Sequence, residues 1–141
     1  MNTAIKIPWI FRCILPLIYA YCIYVVSSTD TSSVSLPYYT DKLIHFVEFG
    51  LLCCLICWSL TAARIETKRI YKIILAIGIT SFYGILDEFH QSFTPHRLVD
   101  VFDWMADTGG AVAAGFFWQR ITHKLETKEK SLAIEKTLVK M

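Results

Sequence analysis

Apolar positions along the chain gather into four long stretches separated by short polar segments. The first runs from about Pro8 to Val26, the second from Leu43 to about Ala63, the third from Ile70 to about Leu86 and the fourth from about Val99 to Ile121. A helix crosses the ~30 Å hydrocarbon layer of a bilayer with about 20 residues. Each stretch approaches that length, the third near the lower limit and the fourth with its aspartates placed ahead of its apolar part. The pattern predicts an all-α protein, a four-helix transmembrane bundle. Pro8 is harmless at a helix start, whereas Pro16 inside the first stretch removes a backbone hydrogen bond and predicts a bend. Lys6 and Arg12, the apolar run and the small pair Ser27 and Ser28 also resemble a signal peptide. The run is long for a signal core, so the first stretch is read as an uncleaved anchor.

Composition strengthens the membrane reading. Of 141 residues, 55% are hydrophobic and 18% charged, against about 45–50% and about 25% in ordinary soluble domains. A water-soluble domain of this length buries only roughly two-thirds of its unfolded surface, which would leave much apolar material facing water. The formal charge of +2 is too weak to point to nucleic acid, and no such partner is expected; the expected partner is the lipid bilayer. The placement of charge is more informative than its sum. Lys6, Arg12, Arg64, Lys68, Arg69, Lys72, Arg120, Lys124, Lys128, Lys130, Lys136 and Lys140 account for twelve of the fourteen basic residues. All lie before the first stretch or early in it, between the second and third or just inside the third, or at the end of the fourth and beyond. Basic residues mark cytoplasmic connections, so both termini are expected in the cytoplasm.

The chain divides at residue 121 into a four-helix membrane domain and a charged cytoplasmic tail, 122–141. Leu125, Leu132 and Leu138 among charges suit either a surface helix or a solvated tail. The five cysteines are odd in number and lie in apolar runs, so no disulfide framework is implied. Cys54-x-x-Cys57, a single such pair inside an apolar helix, reads as packing rather than as a redox or metal motif.

Ionisable residues at membrane depth are expensive and need a partner, a wet cavity or a function. Asp41, His45 and Glu48 recur at i, i+4 and i+7, which stacks them on one helical face, with Lys42 beside them. Asp87 and Gln91 are four apart, flanked by Glu88 and His90. After Thr94, Pro95, His96 and Arg97, the residues Asp100, Asp103 and Asp107 form a second acidic stripe. At ~1.5 Å rise per residue the two stripes reach similar depths and are expected to meet. Under the charge rule all three groups lie at extracytoplasmic helix ends and converge on an outward-facing acidic pocket. Ala106, Gly110 and Ala114, four apart, supply a small-residue face for close helix packing.

These residues also carry a resemblance. The segments DKLIHFVEFGLL, LDEFHQSF and PHRLVDVFDWMADTGGAVAAG resemble the VanZ-like family of small bacterial integral membrane proteins, over roughly Asp41 to Gly115. The family pattern falls on Asp41, Lys42, His45, Asp87, Glu88, Gln91, Arg97, Asp103 and Gly110. The resemblance implies a location in the bacterial cytoplasmic (inner) membrane and, from the founding member, lowered sensitivity to the glycopeptide antibiotic teicoplanin. Family members commonly have Asn where this chain has Asp107, and less often an acid at Asp100, so this chain is the more acidic.

Three functions fit the pattern. In the first, the pocket formed by these residues binds or handles an envelope-related ligand, lipid-linked or glycopeptide-like, with Lys42 and Arg97 pairing with the carboxylates. In the second, Asp87, Glu88, Asp103, Asp107 and His45 hold a divalent metal, with His90 and His96 as further imidazoles, and the protein is a metal-dependent hydrolase or transferase acting on a lipid-linked envelope precursor. In the third, the polar residues only register the helices. No Ser-His-Asp spacing, phosphate loop or HExxH motif strengthens the enzyme reading, and no motif fixes the oligomeric state.

Overall fold

A computed structural model of the chain describes residues 8–29, 37–62, 67–95, 97 and 99–138. Four helices follow one another: α1 (Trp9–Ser27), α2 (Tyr38–Ala62), α3 (Arg69–Gln91) and α4 (Val101–Leu138). Among the described residues there is no strand. The all-helical, four-helix expectation holds, but the helix limits differ from the apolar stretches. α2 starts at Tyr38, ahead of Leu43, because its first turn is polar and aromatic, with Asp41 near the positive end of the helix dipole. α3 runs past Leu86 to Gln91, so its last turn is the polar one. α1 continues through Pro16 without a break and ends where the Ser28 hydroxyl donates to the Tyr24 carbonyl, 2.6 Å.

Three helices contain segments long and apolar enough to cross a membrane: Ile10–Ser27, Tyr39–Thr61 and Arg69–Gln91. Their outward faces are apolar, with Leu17, Leu43, Phe82 and Phe89 all exposed. Fully burying one such side chain is worth roughly 1.5–3 kcal/mol relative to water, so a surface of this kind suits lipid. α4 is not such a segment, because Asp103, Asp107 and paired glycines dilute its first half and charges fill its second. It has 38 residues and is therefore about 57 Å long. The segment after Ile121 is thus a direct continuation of α4. Arg69 ties the start of this extension to α3, donating from Nη1 to the Thr122 hydroxyl at 3.0 Å and pairing with Glu126.

α2 is the central helix and makes its largest interface with α4. One core cluster joins Ile23, Phe49 and Leu52, with Tyr19 and Tyr83 packed against it. The other joins Cys53, Cys57, Ile73, Ala76, Ala111 and Ala114. Cys53 and Cys57 thus serve as small apolar side chains, and the cysteines are free thiols. The Tyr83 hydroxyl donates to the Ala20 carbonyl at 2.7 Å, linking α3 to α1. Trp104 Nε1 donates to the Ser81 carbonyl at 3.2 Å, linking α4 to α3.

The α2–α4 crossing depends on Gly110, where an added Cβ would lie 2.0 Å from the Phe46 carbonyl oxygen. Of the small-residue face, Gly110 and Ala114 are buried and Ala106 is half-buried. Gly50 sits across the crossing, with room for a Cβ only at 3.3 Å from the Gly110 carbonyl oxygen. Replacing Gly110 by Ala forces backbone apart from backbone and should cost at least about 2 kcal/mol. Gly78, which has nothing within 4 Å of an added Cβ, should instead gain up to about 1 kcal/mol as Ala from helix propensity. Thermal unfolding of both variants in detergent checks the contrast.

Candidate functional site

Because α2 and α4 run away from the same end and α3 runs toward it, the first turns of α2 and α4 and the last turns of α3 gather there. The polar residues of all three helices lie in this gathering. Lys42 of α2 reaches Asp100 Oδ2 at 2.5 Å and also pairs with Asp103 of α4. One turn deeper, His45 Nδ1 lies 3.0 Å from Asp107 Oδ1, while the His45 ring stacks against Phe49. On α3, Gln91 Nε2 donates to Asp87 Oδ2 at 2.8 Å. Glu88 Oε2 accepts the backbone N–H of Asp100 at 2.9 Å, tying the α3–α4 connection to α3.

Asp100 stands just outside α4 rather than on its helical stripe. Its Oδ1 accepts the Phe102 N–H at 2.9 Å, taking up one of the donors a helix start leaves unpaired. Burial sorts the rest. His45, Asp87, Glu88, Gln91, Asp103 and Asp107 are each at most 7% exposed, whereas Asp41 and Glu48 are half-buried. Asp107 is 0% exposed and lies against Gly84 of α3, where an added Cβ would be 2.8 Å from Asp107 Oδ2. That glycine provides the space the carboxylate occupies.

Several polar atoms remain without a hydrogen-bond partner: Glu88 Oε1, Asp107 Oδ2 and Arg97 Nε are all buried and unsatisfied. A polar atom in that state costs about 1–3 kcal/mol. Arg97 takes part in none of the ion pairs among the described residues. The cation that contacts the acids is Lys42. His90 turns toward α1, its Nε2 2.8 Å from the Ser28 hydroxyl and its ring 4.4 Å from that of Tyr24. His96 lies outside the described residues. Of the two described histidines considered as imidazole donors, the structure brings His45 into the cluster and turns His90 away from it.

Two sets of donor atoms, each set within 4.8 Å of one another, centre on His45: Asp41, His45 and Asp103 form one, and His45, Asp87 and Glu88 form the other. An imidazole with two carboxylates suits a divalent first-row metal. Asp107 belongs to neither set and instead holds the His45 ring.

Membrane-length helices with apolar outer faces, enclosing ionisable side chains at one end, define a small helical membrane protein with a buried polar site. The chain belongs to the VanZ/LLP1 family, whose model matches residues 5–122. That match takes in α1 as well as the Asp41–Gly115 segment that carries the resemblance, and stops where the charged extension of α4 begins. No curated protein and no solved structure was found to match the chain.

Gly84 and the Asp100 backbone N–H escape a reading of the sequence. A glycine in an apolar helix gives no sign of the carboxylate it faces, and a backbone donor has no residue signature. Lys42 is the testable keystone. Lys42→Met leaves the half-buried Asp100 and the buried Asp103 without their ammonium and should destabilise by about 1–3 kcal/mol, less than breaking a fully buried pair. Adding Asp103→Asn to that variant should recover part of the loss, measured by thermal unfolding in one detergent.

Proposed function

We propose that the chain is a four-span protein of the bacterial cytoplasmic membrane with both termini in the cytoplasm. In this reading the first half of α4, Val101–Ile121, is the fourth span, its aspartates shielded by α2 and α3. The positions of Arg12, Lys68, Arg69, Lys72 and Arg120 support the orientation, since they lie toward the helix ends remote from the polar cluster and basic residues favour the cytoplasmic side. The cluster then lies at the extracytoplasmic ends of its helices.

There it binds the polar head of an envelope-related ligand, lipid-linked or glycopeptide-like, and so lowers sensitivity to teicoplanin. The observation that carries this reading is the convergence of buried ionisable side chains from three helices, His45, Asp87, Glu88, Asp103 and Asp107, among which Glu88 Oε1 and Asp107 Oδ2 have no hydrogen-bond partner among the described residues. Helix registration alone gives no reason to leave them unsatisfied. A peptide-like or phosphorylated head offers acceptors for the Arg97 guanidinium. A metal-dependent hydrolase or transferase acting on a lipid-linked envelope precursor is the second reading, favoured by the His45-centred donor sets.

Expression in a teicoplanin-sensitive host should raise the inhibitory concentration of the drug, and Arg97→Gln should abolish the rise at equal protein level. Unchanged sensitivity with the wild-type protein in the membrane contradicts the ligand reading. For topology, a fluorescent protein fused after Met141 should fluoresce and alkaline phosphatase fused there should be inactive. The opposite pair of results contradicts the orientation.

A further inference from the structure

We propose that His45, Asp87 and Glu88 form a binding site for one divalent first-row metal ion, Zn2+ or Mn2+. The inference deepens the reading of the polar cluster as the functional site and rests on it. Three side chains from two helices bring one donor atom each to within 4.8 Å of one another, all three at least nine-tenths buried. Donors on a single ion at ~2.1 Å bond lengths sit about 3–3.5 Å apart, so small side-chain rotations close the set.

The arrangement around the three donors is what distinguishes a site from an acidic cluster. His45 is held through Nδ1 by Asp107 at 3.0 Å, which leaves Nε2 as its metal-binding nitrogen. Asp87 is held through Oδ2 by the Gln91 amide at 2.8 Å, which leaves Oδ1. Glu88 is held through Oε2 by the Asp100 N–H at 2.9 Å, and its other oxygen, Oε1, is buried with no hydrogen-bond partner among the described residues. Ligating histidines are generally oriented in this way by a carboxylate on the second ring nitrogen, and ligating carboxylates by a further hydrogen bond. Each donor here has one atom fixed by a neighbour and another left over, and the leftover oxygen of Glu88 is an orphan in a buried environment.

Charge favours the same assignment. Two carboxylates and a neutral imidazole match a doubly charged ion. Lys42 pairs with Asp100 and Asp103, which are not among the three proposed ligands. The imidazole favours Zn2+ over Mg2+ and Ca2+, which prefer all-oxygen sites, and the two carboxylates admit Mn2+. The remaining coordination positions would take water or an oxygen of the ligand head, which is the chemistry a hydrolase or transferase draws on.

The test uses the full chain purified in detergent, stripped with a chelator and then titrated with Zn2+ and separately with Mn2+, bound metal being measured by elemental analysis. Saturation at about one ion per chain is expected. Asp107→Asn should weaken binding about 10–100-fold through misorientation of His45, and Glu88→Gln or Asp87→Asn by more. Glu126→Gln, at the remote Arg69 pair, should leave it unchanged. Absence of saturable binding to helical, monodisperse protein, or binding unaltered in Glu88→Gln and Asp87→Asn, overturns the proposal and leaves shared protons to neutralise the cluster. Should those variants lose their helices, Co2+ added to the wild-type chain decides the matter. Visible absorption displaced by Zn2+ supports the site, and its absence overturns it. An ion without any effect on teicoplanin sensitivity keeps the metal site and removes the ligand reading; an effect without an ion does the reverse.

Discussion

At the crossing of α2 and α4 the Phe46 carbonyl occupies the space a side chain on Gly110 would need, and the neighbouring polar contacts follow from that approach. His45 precedes Phe46 on α2, and Asp107 lies one turn before Gly110 on α4, so bringing the two backbones together brings imidazole and carboxylate to 3.0 Å. One turn nearer the helix ends the same approach puts Lys42 against Asp100 and Asp103. α3 closes the site because Gly84 yields room for the Asp107 carboxylate, which sets Asp87 and Glu88 at the same level. Two glycines on different helices thus govern how closely these ionisable groups meet.

Electrostatics then limits what such a cluster can be. Asp41, Glu48, Asp87, Glu88, Asp100, Asp103 and Asp107 face two fixed cations, Lys42 and Arg97, within a short span of helix. Isolated buried charges cost several kcal/mol each even after relaxation. The excess negative charge needs protons, water or a bound cation. A structure serving only to register helices would gain about 0.6 kcal/mol per polar contact in a membrane.

Much of this arrangement is visible in the order of residues. Four apolar stretches announce four helices, and the i, i+4, i+7 spacing of Asp41, His45 and Glu48 puts them on one face. Contact between that face and the aspartates of α4 follows from comparing depths along two helices. Other features lie beyond the pattern. Hydropathy ends α3 near Leu86 because it registers only apolar residues, whereas the backbone stays helical through Asp87, Glu88 and Gln91. Asp100 fits the spacing of the acidic stripe, yet it serves at the helix start because its side chain can accept the Phe102 N–H. The positions of His90 and Arg97 depend on α1 and on the α3–α4 connection, and neither is encoded in local periodicity. Membership of the VanZ/LLP1 family fits the helices and the polar motifs together.

The site is organised by direct contact between α2 and α4 through His45 and Asp107, and a double-mutant cycle on that pair tests it most closely. His45→Phe, Asp107→Asn and the double variant would be unfolded reversibly in the same lipid-detergent mixture as the wild type. The account predicts that the two losses fail to add, with a coupling of at least about 1 kcal/mol, as contacting residues show. Additivity to within about 0.3–0.5 kcal/mol, the behaviour of residues that do not touch, would contradict it.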